Sequence, residues 1–241
     1  MLISHRKKFI YFKTVKTAST SVELYFEPFC MKEGEWKFSH GREEHICSEG
    51  IVGYRGKDSA GKKWYNHMPA SDIKRKVSGE VWESYFKFCV IRNPFDKLVS
   101  AFFYFDQNKM RNSYSLTLKK KLWKVLGQKH HAQHLEREML IRNFRLWVKS
   151  GHAFIDNDKY MIDDQSCVDY FIRFEDISGG IKHVCDQLSL PFDLQRLPRL
   201  KANSRDKRFS INDFYDEETE EAVRQLYEFE IRTFGYSLPV K

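Results

Sequence analysis

The sequence has no apolar run near the roughly 20 residues that cross a bilayer. Arg6, Lys7 and Lys8 could open a secretory signal, but the apolar stretch behind them is only Phe9 to Phe12, short of the roughly 7–15 residues such a signal needs. The chain therefore reads as soluble. Cysteine is sparse and never arranged as C-x-x-C: Cys30, Cys47, Cys89, Cys167 and Cys185 are scattered and odd in number. That argues against a disulfide framework or a structural zinc site and for reduced thiols in the cytoplasm. There is no internal repeat and no low-complexity tract. What remains is an ordinary globular composition in 241 residues, a length that one domain spanning 1–241 accommodates.

Two excesses stand against these absences. Aromatics reach 15%, with 20 Phe, so a core or a cleft must be rich in rings. The formal net charge of +8 favours a polyanionic partner: a nucleotide, an acidic glycan, nucleic acid or an anionic membrane.

Hydrophobic patterning predicts strands at Phe9–Phe12, Tyr85–Ile91 and Asp169–Phe174, and a short one near Ile51 and Val52. Helices are predicted through Val22–Phe26 with Ser19 or Thr20 as cap, from about Pro69, from Pro94, over Leu135–Val148, over Ile177–Leu188 and over Asp216–Phe234. Phe95, Leu98, Val99, Phe102 and Phe103 form a clean helical stripe. Strand–loop–helix units imply an α/β fold with a largely parallel sheet, whose ligands bind where loops leave the carboxyl ends of strands.

Lys13-Thr14-Val15-Lys16-Thr17-Ala18-Ser19-Thr20-Ser21 occupies such a place. Backbone N–H groups and a helix N-terminus converge on an anion at loops of this kind. Yet G-x-x-x-x-G-K-[ST] is missing, and so is an acidic strand end for Mg²⁺, which disfavours an NTPase. Lys16-Thr17-Ala18-Ser19-Thr20-Ser21 resembles the 5′-phosphosulfate loop of sulfotransferases, above all the glycan 2-O-sulfotransferases, whose loop reads Pro-Lys-Thr-Ala-Ser-Thr-Ser. Val15 stands where that group has Pro. The resemblance implies that Lys16 is the catalytic lysine and that Thr17, Ala18, Ser19, Thr20 and Ser21 hold the 5′-phosphate.

Cys89 through Ser100 is similar to the 3′-phosphate motif of the same families, a strand ending in Arg-Asn-Pro with a serine further along the helix. Arg92 supplies a fork suited to phosphate oxygens, and Ser100 lies off the apolar stripe. Phe171 to Ile177 resembles the aromatic-Glu-Asp strand end, and Phe234-Gly235-Tyr236 the ending of the type-2 sulfotransferases. Residues 104–160 match least. Lys201 and Arg205 sit in a basic loop that could close over the nucleotide.

Transfer to an alcohol needs a proton acceptor, for which imidazole has the natural pKa. Among nine histidines, His67 precedes a helix between the two motifs. The 2-O group has His-x-His there, and this chain has Tyr65 at the earlier position. His130, His131 and His134, and the cluster of His40, His45 and Cys47, lack a complete ligand set, so no metal is assigned.

The expectation is a single α/β domain, P-loop-like, in three layers with a central parallel sheet flanked by helices. It would move a sulfuryl group from 3′-phosphoadenylyl sulfate (PAPS) to a hydroxyl, leaving 3′,5′-adenosine diphosphate (PAP), with Lys16 and His67 as catalytic residues. Similarity to the glycan branch implies a carbohydrate acceptor. Without an anchor, the chain reads as a bacterial-type cytoplasmic enzyme or a trimmed catalytic domain. A divergent P-loop kinase and a basic nucleic-acid-binding module are the alternatives; the second is disfavoured by charge spread over all segments.

Overall fold

A computed structural model describes residues 1–105, 129–151, 153–198 and 209–239. In chain order the elements are β1 (Leu2–Ser4), β2 (Phe9–Phe12), α1 (Ser19–Phe26), β3 (His45–Cys47), β4 (Gly50–Val52), α2 (Ala70–Lys76) and α3 (Gly79–Ser84). Then come β5 (Phe86–Ile91), α4 (Pro94–Phe105), α5 (Lys129–Lys149), β6 (Met161–Ile162), β7 (Gln165–Ser166), β8 (Tyr170–Arg173), α6 (Ile177–Gln187), α7 (Glu217–Leu226) and α8 (Glu228–Phe234). The chain forms two compact units, one of Met1–Arg92 with Asp156–Leu200, the other of Asn93–Ile155 with Lys201–Lys241.

The first unit holds a six-stranded sheet in the order β3-β4-β1-β2-β5-β8. β2, β5 and β8 are parallel, with Tyr11 opposite Phe88 and Cys89 opposite Phe171. β1, β3 and β4 pair antiparallel, so the expected largely parallel sheet is parallel only on one side. Connection length explains this. Only His5 to Lys8 join β1 to β2, and Ser48 and Glu49 join β3 to β4, whereas a parallel pair needs a crossover of about a dozen residues or more.

Side chains alternate across a strand. Phe9 and Tyr11 therefore join Phe88, Val90 and Ile172 on one face, under Val22, Tyr25 and Phe26 of α1 and Ile181, Val184 and Cys185 of α6. Ile10 and Phe12 face the other way and are also fully buried, with Phe12 edge-on to Trp82 of α3 at 6.1 Å. Burial on both faces is why the strand reads Phe-Ile-Tyr-Phe without polar alternation. Each such ring contributes about 1.5–3 kcal/mol.

The second unit is helical. Phe95, Leu98, Val99, Phe102 and Phe103 pack with Phe144 and Val148 of α5 and with Phe214, Tyr215 and Val223, as the stripe predicts. Asn93 caps α4, its Oδ1 accepting the Phe95 N–H at 3.0 Å. Asp216 caps α7 through the Thr219 N–H at 2.9 Å, and Gly235 ends α8 at φ 67. The single helix expected over Asp216–Phe234 is broken at Tyr227 (φ −121, ψ 35). No Pro or Gly marks the break. It coincides with a tertiary anchor, the Tyr227 hydroxyl donating to the Phe154 carbonyl at 2.6 Å. No helix among the described residues is long and apolar enough to cross a membrane.

Candidate active site

The link from β2 to α1 turns without glycine. Lys16 and Ala18 both adopt left-handed backbone, at φ 62 and 56, a conformation that costs a non-glycine residue about 1–3 kcal/mol unless its surroundings enforce it. Hydroxyls do the enforcing. Thr14 Oγ1 donates to the Val90 carbonyl of β5 at 2.5 Å and so accepts from Thr17 Oγ1 at 2.7 Å. Ser19 Oγ turns back to the Thr14 carbonyl at 2.6 Å, and the Tyr11 hydroxyl donates to the Ser19 carbonyl at 2.9 Å. Neither Ser19 nor Thr20 caps α1. The cap position is Ala18, with no side-chain bond.

The Thr17 and Ser19 hydroxyls are thus committed to shaping the loop. The backbone N–H groups of Thr17, Ala18, Ser19 and Thr20 donate to no other described residue, and the Thr20 and Ser21 hydroxyls make no bond to one. Positive φ at Lys16 and Ala18 with Thr17 between them alternates the sign of φ at a helix N-terminus, a pattern that can turn successive N–H groups toward one point, where they suit an anion.

Beneath the loop lies a buried ion cluster. Lys13 Nζ meets Glu23 Oε2 at 2.7 Å with both side chains fully buried, and Arg55 Nη1 reaches Glu23 at 2.6 Å and Glu27 at 3.0 Å. Arg42 pairs with Glu27, and the Met1 ammonium with Glu23 at 2.9 Å. Burial alone would raise the Glu23 pKa. Lys13, the Met1 ammonium and Arg55 outweigh it and hold the carboxyl well below the usual range. Lys13 is therefore consumed internally, and Lys16 is the lysine of the loop proper.

Arg92 and Lys16 lie 76 residues apart, and Arg92 Nη1 donates to the Lys16 carbonyl at 2.9 Å. The guanidinium also lies over the Phe174 ring at 4.1 Å, just past β8. Stacking and the carbonyl bond pre-orient the fork. Ser100, on α4 in the other unit, is buried and its hydroxyl bonds to no described residue.

His67 sits at φ 55, another left-handed non-glycine residue. Its Nδ1 lies 3.1 Å from the Lys13 carbonyl. A carbonyl can only accept, so Nδ1 carries the proton and Nε2 presents a lone pair, the tautomer a base requires. Burial, then the nearby Lys13 charge, pushes the imidazole pKa down to about 4. Tyr65, where a supporting histidine would stand, turns to Asp72 Oδ2 at 3.2 Å. A backbone carbonyl orients the ring in place of a second imidazole.

Lys201 and Arg205 lie outside the described residues, as do the side chains of His130 and His131. His134 is exposed beside Glu138 at 3.6 Å, and the Cys47 thiol donates to the Cys30 carbonyl. No group of three or more His, Cys, Asp or Glu among the described residues could hold a metal ion.

Sequence reasoning passed over three contributors. Phe174 lay inside a recognised strand, and an aromatic beside a strand-end arginine was the available signal. Glu23 and Asp156 had none. Asp156 Oδ2 accepts the Val15 N–H at 2.7 Å across 141 residues of chain.

Searches of curated proteins and of solved structures found no match. A family model, that of the sulfotransferase family, matches residues 1–237. With a match running through both units, the chain belongs to the sulfotransferase family.

Proposed function

We propose that the whole chain acts as one P-loop-like domain that moves the sulfuryl group of PAPS to an acceptor hydroxyl, most naturally on a carbohydrate, and releases PAP. Family members generally use PAPS as donor, and the enzyme class is that of sulfuryl transfer. One observation carries the finer reading: the Arg92–Lys16 bond, which joins the loop resembling a 5′-phosphate site to the strand end resembling a 3′-phosphate site. The resemblance assigns Ser100, Lys201 and Arg205 to the donor as well, on sequence alone.

In this mechanism the acceptor oxygen attacks sulfur in line with the bridging oxygen. As the new S–O bond forms, the bridging S–O bond breaks and its electron pair goes to the 5′-phosphate. Lys16 and the loop N–H groups stabilise that charge, and His67 Nε2 takes the hydroxyl proton. Positioning and electrostatics do most of the work. A mixed anhydride already has a good leaving group, so the step needs no metal.

Calorimetry tests this directly. PAP should bind without Mg²⁺ at least tenfold more tightly than ADP, because ADP lacks the 3′-phosphate and its charge-assisted bonds, worth about 1.5–3 kcal/mol. Equal affinities, or a strict Mg²⁺ requirement, would favour a kinase instead.

A companion measurement isolates Arg92. Arg92→Ala should weaken PAP by about 1.5–3 kcal/mol and 5′-AMP far less. If both nucleotides lose alike, Arg92 supports the loop but does not read the 3′-phosphate.

A further inference from the structure

In the glycan 2-O-sulfotransferase loop that Lys16–Ser21 resembles, a proline stands where this chain has Val15. Proline restricts φ and has no N–H. Val15 restores both the freedom and the donor. In the structure that donor is not left to water: the Val15 N–H is held at 2.7 Å by Oδ2 of Asp156, a carboxylate only 2% exposed. Asp156 immediately precedes the 3₁₀ turn Asn157–Lys159, whose Lys159 N–H bonds the Asp156 carbonyl at 3.1 Å, so the carboxylate projects from a fixed turn.

We infer that Asp156 is a positioning residue: it restrains the start of the anion loop through the Val15 N–H and takes over the task a proline ring performs at that place. The restraint acts one residue before Lys16, whose left-handed backbone sets the direction of the following N–H groups. A carboxylate beside an anion site repels the anion unless a hydrogen bond or a cation holds it, and here Oδ2 accepts from the main chain. The consequence for nucleotide affinity rests on the donor reading above; the restraint itself does not.

Two measurements separate these layers. In the unaltered protein, hydrogen exchange at the Val15 amide should be slow for a loop position, and Asp156→Ala should speed it about tenfold or more, the scale of one bond to a charged group. Asp156→Ala should also weaken PAP about tenfold, while Asp156→Asn, whose amide oxygen still accepts, should stay within about threefold. Val15→Pro alone removes the donor and sets a ring carbon against Oδ2, so it should bind PAP poorly. Adding Asp156→Ala to Val15→Pro should recover affinity, because the ring then has room and supplies the restriction itself.

Unchanged exchange and affinity in Asp156→Ala, or a double variant no better than Val15→Pro, would overturn the inference. If Asp156→Ala does not fold, a fast-exchanging Val15 amide in the unaltered protein would overturn it as well. An unaltered protein that fails to bind PAP would instead sink the donor reading, leaving amide exchange to decide the role of Asp156.

Discussion

His67→Ala should lower turnover by about 10²–10⁴-fold while leaving PAP affinity within a few-fold of the unaltered protein. The division follows from contacts. His67 is fixed by the Lys13 carbonyl on one ring nitrogen, and the anion loop is shaped by Thr14, Thr17, Ser19 and Arg92 without it. Its pH signature is distinctive. With the imidazole held near 4, the acid limb of kcat/KM, which reports the free enzyme, should fall near pH 4 and not near the ordinary 6.5. Donor phosphate charge favours imidazolium, so the limb in kcat should lie higher. Both limbs should disappear in His67→Ala. Lys16→Ala should differ by losing turnover and donor affinity together. A His67→Ala protein that keeps most of its turnover would remove His67 from the chemistry.

The same shift has a stability consequence. Between pH 6.5 and about 4 the unfolded chain protonates His67 and the folded chain does not. Stability should therefore decline as pH falls through that window, on the order of 1.4 kcal/mol per pH unit at most.

Glu23→Ala should be the most destabilising single change in the first unit, by about 3–5 kcal/mol in denaturant unfolding. Glu23 is fully buried and pairs with Lys13 and Arg55 as well as the Met1 ammonium. Removing it leaves the buried Lys13 ammonium without its ion-pair partner beneath the loop, and Arg55 with Glu27 as its one carboxylate among the described residues. Turnover should suffer too, since the Lys13 carbonyl positions His67, and donor binding with it, since the Lys13 backbone opens the anion loop. Because the folded carboxyl sits below its ordinary pKa of 4.5, its contribution is fully present above that value. It is lost as pH falls through the folded pKa. An unfolding midpoint in Glu23→Ala that matches the unaltered protein would show that the cluster is no net support.

How much of this was written in the sequence depends on the range of the interactions. The parallel strands β2, β5 and β8 were legible because each is a short run dominated by aromatic and β-branched residues, with β2 and most of β5 buried. β1 and β3 were not: each has three residues, and β3 lies in a polar stretch, so neither carries enough periodicity. The break at Tyr227 needed the Phe154 carbonyl, which no local pattern announces. Of the candidate site, Lys16 and Arg92 were legible at strand-to-helix junctions and His67 as a histidine preceding a helix between them. Their supports were not, because Lys13–Glu23, Val15–Asp156 and Arg92–Phe174 are tertiary pairings between residues that look like ordinary surface or strand positions when read singly.

The mixed pairing of the sheet also orders events in time. β1 with β2 and β3 with β4 are local hairpins that close short loops, whereas β2 with β5 and β5 with β8 must wait for long segments to come together. Closure of long loops is entropically slow. The Arg92–Lys16 bond spans β2 and β5, so the site is completed only when the slow half of the sheet registers. On the donor reading, a chain whose β2 and β5 have not yet paired lacks the Arg92–Lys16 link. Nucleotide in the refolding buffer should consequently leave the early phase untouched and act by trapping the finished sheet, slowing its unfolding.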